Sequence, residues 1–168
     1  MKKRFLLIAT GGTIASQAGK DGLIPELKAD ALLKYVPEIF EFCDVDALQP
    51  YNIDSTNVTP AHWITLAKTI QAHYEEYDGF IICHGTDTMS YTAAMLSYMV
   101  QGSPKPIVLT GSQQPIDKED TDGRINLRDS FLYAAHENAA NVVIVIKTDF
   151  FEARSTAYAK STSLVDDL

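Results

Sequence analysis

Phe80-Ile81-Ile82-Cys83-His84-Gly85-Thr86-Asp87-Thr88 sets an unbroken apolar run directly against a small, polar, glycine-containing turn. A strand exposed on one face alternates apolar and polar side chains, whereas a run apolar on both sides is buried on both faces. Working outward, the same signature recurs in Phe5-Leu6-Leu7-Ile8-Ala9, Ile107-Val108-Leu109 and Val142-Val143-Ile144-Val145-Ile146, with a less uniform run from Val45 to Ile53. Such strands belong to a parallel sheet covered by helices.

The intervening segments read as those helices. Thr59-Pro60 is an N-cap with proline at the first helical position, and Trp63, Leu66, Ala67, Ile70 and Tyr74 follow at helical spacing, predicting a helix to about residue 76. Thr88 to Val100, poor in charge, predicts a largely buried helix ended by Gly102 and Pro104. Arg124 to Asn138, with Leu127, Phe131, Ala134 and Ala135 on one face, predicts another, and Leu27 to Tyr35 a shorter one before Pro37. The alternation predicts a doubly wound α/β fold of the Rossmann or flavodoxin type, a mostly parallel sheet with helices on both faces. No repeat or linker divides residues 1–168, so a single domain is expected.

Composition narrows the function. The chain has 168 residues, 46% apolar and 21% charged, with a formal charge of −8. Without a basic run it lacks the means to neutralise phosphates, so nucleic acid and anionic membrane are not expected partners. No apolar stretch approaches the roughly 20 residues needed to span a bilayer, and the apolar run after Met1-Lys2-Lys3-Arg4 is too short for a signal-peptide core. Cys43 and Cys83 do not suggest a disulfide framework, and a cytoplasmic protein with reduced thiols is expected.

In open parallel sheets, ligands bind beyond the carboxyl ends of the strands. There this chain places Thr10-Gly11-Gly12-Thr13-Ile14-Ala15-Ser16, Asp54-Ser55-Thr56-Asn57, His84-Gly85-Thr86-Asp87-Thr88 and Thr110-Gly111-Ser112-Gln113. Gly11-Gly12 lacks the spaced third glycine of a dinucleotide fingerprint, and Asp54 and Asp87 would repel phosphate. No G-x-S-x-G elbow supports a serine hydrolase. His62, His73, His84 and His136 lack metal-ligand spacing, and His62 and His73 read as solvent-facing or boundary residues on their helix. What remains distinctive is Thr13 and Thr86, each past a buried strand and beside glycine. A threonine hydroxyl can act as a nucleophile if given a proton acceptor, and flanking glycines let backbone N–H groups reach an oxyanion. The bland alternative is that these turns only cap helices.

The turns beginning at Thr10, Asp54, Tyr77, Thr110 and Asp122, the last reading Asp122-Gly123-Arg124-Ile125-Asn126-Leu127, together resemble the bacterial-type L-asparaginase family in order and spacing, with its cytoplasmic branch the closer match. The resemblance implies hydrolysis of the side-chain amide of L-asparagine to L-aspartate and ammonia, with no metal or organic cofactor. It implies Thr13 as nucleophile, Thr86 as the second essential threonine and Asp87 as the acid holding the substrate α-amino group. Asp54 and Ser55 match the segment gripping the α-carboxylate and α-amino ends, and Ser112 the position near the amide. The family's catalytic lysine lies after the fifth strand near an arginine; with Arg154 preceding it, Lys160 is the candidate.

Two departures accompany the resemblance. The loop Gln17 to Pro25 has no tyrosine to contact the nucleophile; Leu23 stands in that stretch, although Gly19 and Gly22 give the loop hinge chemistry suited to a lid. Family members also usually carry a second α/β domain, absent from these 168 residues, and assemble as dimers or tetramers that share active-site groups. A homo-oligomer is therefore expected by resemblance, and Tyr91, Met95, Tyr98 and Met99 are read as core in preference to interface. The alternative function is a non-catalytic or weakly active amino-acid-binding domain. An amidotransferase component acting on tRNA is disfavoured by the acidic composition.

Overall fold

The computed structural model describes residues 2–19, 22–25 and 27–146. Strand β1 (Lys3–Ala9) belongs to a five-stranded sheet whose other members are β4 (Cys43–Leu48), β5 (Gly79–Cys83), β6 (Ile107–Thr110) and β7 (Val142–Ile144), in the order β4-β1-β5-β6-β7 with β5 at the centre. Every pairing is parallel. The helices are α1 (Ala29–Leu33), α2 (Pro60–His73), α3 (Met89–Met99) and α4 (Gly123–Ala135).

Side-chain alternation along the strands divides the core in two. Phe5, Leu7, Ala9, Ile81, Cys83 and Val108 face one side and pack with Leu32, Leu33, Leu127, Phe131 and Ala134 of α1 and α4. Leu6, Ile8, Phe80, Ile82, Ile107 and Leu109 face the other and pack with Leu66, Ile70, Ala93 and Leu96 of α2 and α3. The sheet is therefore covered on both faces, as the uninterrupted apolar runs require. Each large aliphatic or aromatic side chain withdrawn from water contributes roughly 1.5–3 kcal/mol, and β5 and β6 are buried along their whole length.

Several expectations need correction. The run from Val45 to Ile53 is not one strand: β4 ends at Leu48, and the chain rejoins β1 only at an isolated bridge between Gly11 and Ile53. Pro50, which has no N–H to give to a ladder, falls in the interruption. The predicted loop Gln17–Pro25 instead forms an antiparallel pair, β2 (Ser16–Gly19) with β3 (Gly22–Pro25), in the register Ser16↔Pro25 to Gly19↔Gly22. Helix α1 is shorter than the predicted Leu27–Tyr35, and a 3₁₀ turn at Pro37–Glu41 follows it. Helix α2 ends at His73, short of residue 76, while α4 ends at Ala135.

Helix α3 is not a largely buried helix. Thr92, Ala93 and Leu96 are buried, but Tyr91 and Tyr98 are 65% and 61% exposed, and Met95 and Met99 are also exposed, so these four are not core. The sheet takes only one stripe of the helix, and apolar composition alone did not distinguish that stripe from the outer face. Both cysteines are free and buried, and burial raises the Cys83 thiol pKa to about 12. Among the described residues, no helix is long and apolar enough to cross a membrane.

Candidate active site

The strand order fixes where a site can form. From β1 the chain leaves toward β4 on one side; from β5 it leaves toward β6 on the other. The turns after these two neighbouring strands diverge, opening a crevice at the carboxyl edge of the sheet. Gly12, Thr13, Ser16, Asp54, Ser55, Gly85, Thr86 and Asp87 line a small open cleft there.

The floor of the cleft is built by close backbone approach. Gly12 has φ +79°, and a Cβ there would collide with the Gly85 N and Cα. A Cβ on Gly85 would in turn strike the Ser55 side chain. Only glycine lets these three turns meet so closely. Thr13 opens a 3₁₀ turn, Thr13–Ala15, and Ser16 Oγ donates to the Gly12 carbonyl at 2.9 Å, tying down the turn that presents Thr13.

On the opposite wall, Asp54 begins a second 3₁₀ turn, Ser55–Asn57. Its Oδ1 accepts from Thr56 N at 2.8 Å and from Thr56 Oγ1 at 2.7 Å. The backbone bond, then the hydroxyl bond, lowers the Asp54 pKa and keeps its carboxylate charged. Asp54 thus caps the turn that carries Ser55. Ser55 is buried and its Oγ donates to Asp87 Oδ2 at 3.4 Å, while Thr88 Oγ1 donates to the Ser55 carbonyl at 2.8 Å. Thr86 is half-buried and Asp87 exposed. Two carboxylates and four hydroxyl residues therefore converge on one small cleft, a setting that favours a cationic group on the ligand and offers hydroxyls to its polar atoms.

Of the residues singled out from the sequence, Thr13, Asp54, Ser55, Thr86 and Asp87 are brought together. Ser112 is buried and does not line the cleft; its Oγ donates to the Gln114 carbonyl at 2.5 Å. The contact to the cleft from that turn is made by Gln113, whose Nε2 donates to Thr86 Oγ1 at 3.2 Å. Lys160 and Arg154 lie outside the described residues. Among those described, no group of three or more His, Cys, Asp or Glu side chains could hold a metal.

Sequence reasoning missed the supports of the site. Asp122 accepts from the backbone N–H groups of Gln113, at 3.0 and 3.1 Å, and Gln114, at 3.1 Å. Asn126, one turn further along α4, donates through Nδ2 to the Gly111 carbonyl and to Asp122 Oδ2. The four-residue spacing of Asp122 and Asn126 was the available signal, since it places both on one helix face. His84, buried two residues before the second threonine, has no such signal: the bonds behind it run through residues of two different helices.

Residues 4–165 match the family model described as Asparaginase, N-terminal. The chain is 37% identical over 166 residues to L-asparaginase 1 of Escherichia coli K12, an alignment covering 95% of this chain and 48% of that protein. It is 44% identical over 149 residues to a subunit of the glutamyl-tRNA(Gln) amidotransferase of Methanosphaera stadtmanae, covering 85% of this chain and 33% of the relative. A solved structure described as a probable cytoplasmic L-asparaginase from Campylobacter jejuni superposes with a TM-score of 0.78 at 36% identity, covering 87% of this chain and 45% of that one. The chain thus spans less than half the length of these relatives. With a parallel sheet that opens a hydroxyl-rich cleft between β1 and β5, and a family model matched over nearly all of its length, the chain belongs to the asparaginase family, in the region of that family's N-terminal domain.

Proposed function

We propose that this protein is an amidohydrolase that cleaves the side-chain amide of L-asparagine to L-aspartate and ammonia, with Thr13 as nucleophile. The observation that carries the reading is the convergence of Thr13 and Thr86, from turns after adjacent strands, on a cleft that also holds Ser55 and Asp87. Asp87 receives the substrate α-ammonium in a charge-assisted hydrogen bond, and Ser55, fixed by its bond to Asp87, holds the α-carboxylate end. Asp54, whose carboxylate caps the Ser55 turn, completes the grip. Held at both ends, the substrate presents its amide carbon to the Thr13 hydroxyl, replacing a bimolecular encounter by an oriented one. The hydroxyl adds to the carbon, the amide nitrogen leaves as ammonia after taking up a proton, and water then releases aspartate from the threonyl ester. Thr86 moves the proton at the nucleophile or the water, and Lys160 is the proposed partner that eases its deprotonation. Ser112 supports the turn that presents Gln113 to Thr86 through its bond to the Gln114 carbonyl.

No organic or metal cofactor is needed for these steps. We further read the protein as cytoplasmic, as one homologue is described, and as a homo-oligomer that light scattering would detect as a dimer or tetramer. Ammonia release from asparagine by the purified protein, compared with Thr13→Ala and Thr86→Val, tests the hydrolase reading. Loss of at least about 100-fold in both variants is expected; equal rates in all three would sink it.

A second reading draws on the amidotransferase relative and on the fraction of the relatives' length that this chain spans: a domain that binds an amino acid without efficient turnover. Calorimetric binding of aspartate without asparagine hydrolysis would favour it. Glutamine differs from asparagine by one methylene, a difference a pocket discriminates by only about 1–3 kcal/mol, so both substrates belong in the assay.

A further inference from the structure

His84 follows β5 at the point where the chain turns toward Thr86, and it is 1% exposed. Its ring is bonded at both ends. Nδ1 lies 2.7 Å from the carbonyl of Gly85, and Nε2 lies 2.9 Å from Thr92 Oγ1 on α3. Thr92 Oγ1 in turn lies 3.0 Å from the indole Nε1 of Trp63 on α2.

The chemistry of the two termini, together with the burial of the ring, sets the protons in this chain. An indole N–H can only donate, and a carbonyl oxygen can only accept. Trp63 therefore donates to Thr92, and His84 Nδ1 must carry the proton given to the Gly85 carbonyl. Burial lowers the His84 pKa and favours the neutral ring, so Nε2 is the unprotonated nitrogen that accepts from the Thr92 hydroxyl. The Thr92 hydroxyl is unusual among those of the helices. Thr65, Thr69 and Ser130 donate back to the carbonyl four residues earlier, the ordinary helical arrangement. Thr92, fully buried, instead reaches sideways to the histidine.

The receiving carbonyl belongs to the peptide that joins Gly85 to Thr86. Gly12 and Ser55 both press on the residue at the head of this peptide, Gly12 on the Gly85 N and Cα and Ser55 on the space a Gly85 Cβ would fill, so the three turns of the cleft meet at Gly85. Packing holds the N and Cα of Gly85, while the orientation of the carbonyl that leads into Thr86 is held by the histidine bond. We propose that His84 is a positioning residue for the cleft: the wire Trp63–Thr92–His84 fixes the Gly85–Thr86 peptide, and with it the Thr86 hydroxyl and the Asp87 carboxylate, from the two helices on one face of the sheet. The inference rests on the hydrolase reading for its effect on turnover, and on geometry alone for its effect on the peptide.

The test uses Thr92→Val, which removes the hydroxyl at nearly constant shape, Thr92→Ser, which restores it, and Trp63→Phe, which breaks only the distal link. In the unmodified protein, ¹⁵N NMR should show a neutral His84 protonated on Nδ1, with Nε2 accepting a hydrogen bond. In Thr92→Val the Nε2 resonance should lose that signature, and the Thr86 amide should shift and exchange faster. kcat for asparagine should fall about 10- to 100-fold, a cost in keeping with small misplacements at reacting groups, with KM rising by a smaller factor through the displaced Asp87 carboxylate. Thr92→Ser should recover both, and Trp63→Phe should show the same effects at smaller size. A Thr92→Val protein of native melting temperature with an unaltered Thr86 amide and unaltered kcat would overturn the proposal. If Thr92→Val does not fold, an unaltered Thr86 amide in folded Trp63→Phe would do the same. Absence of ammonia release by the unmodified protein, with the NMR differences present, would remove the hydrolase reading and leave the wire standing.

Discussion

The floor and the rim of the cleft are built on opposite terms. At the floor, Gly12, Gly85 and Ser55 touch through backbone and short side chains, leaving no room for a methyl group. At the rim, Thr13 and Thr86 are half-buried, Asp87 and Gln113 are exposed, and each is reached by few contacts. The floor is determined by packing and belongs to the stability of the whole sheet; the rim is held just firmly enough to be found by a ligand. A protein that concentrates its geometric precision beneath the reacting groups can leave those groups solvated until substrate arrives.

The sharpest way to break this division is Gly12→Ala. A Cβ at φ +79° that collides with Gly85 combines left-handed strain with overpacking, and a loss of about 2–5 kcal/mol is expected, measured as a fall in the urea midpoint. Stability unchanged within error would show that the floor can yield. Asp122→Ala should come next: it frees the N–H groups of Gln113 and Gln114 and costs about 1–3 kcal/mol, with activity lost in addition because Gln113 no longer meets Thr86.

Acidification sharpens the comparison from the side of charge. His84 has a depressed pKa in the folded protein, so between that value and the ordinary 6.5 the unfolded chain binds the extra proton. Its contribution to stability is complete above 6.5 and is lost as pH falls through and below it. The melting temperature of the unmodified protein should therefore drop more between pH 7.5 and 5.5 than that of His84→Asn, which has no imidazole to protonate. At the rim, Gln113→Ala should leave stability within about 0.5 kcal/mol while altering asparagine turnover. A larger stability loss would place Gln113 with the floor.

The difference between floor and rim also marks what the sequence could disclose. Buried strands were legible because a run such as Phe80-Ile81-Ile82-Cys83 leaves no alternative to burial on both faces, and the turns followed from where those runs stopped. The break between Leu48 and Ile53 was half-legible, in Pro50. The pairing of β2 with β3 was not, because the glycines Gly19 and Gly22 serve a flexible loop as well as a hairpin. Nor was the outer face of α3, since Tyr91, Met95, Tyr98 and Met99 are apolar enough for a core and are exposed only because the sheet covers the opposite stripe. Thr13, Asp54, Ser55, Thr86 and Asp87 were found because they stand at strand ends. Their supports, Asp122 under Gln113 and Thr92 behind His84, join elements remote in the chain, and no local pattern encodes such contacts.

The all-parallel strand order has a consequence in time. The turns after β1 and β5 are stitched by Thr10, whose N–H and hydroxyl both bond the Cys83 carbonyl across 73 residues of sequence. Contacts of such span form only after the entropy of closing a long loop has been met, so parallel sheets fold slowly compared with helical bundles. No shorter peptide carrying Thr13 or Thr86 alone would contain a rudimentary cleft. During refolding from denaturant, ligand-binding competence should rise in step with burial of the central strands and lag the formation of isolated helices.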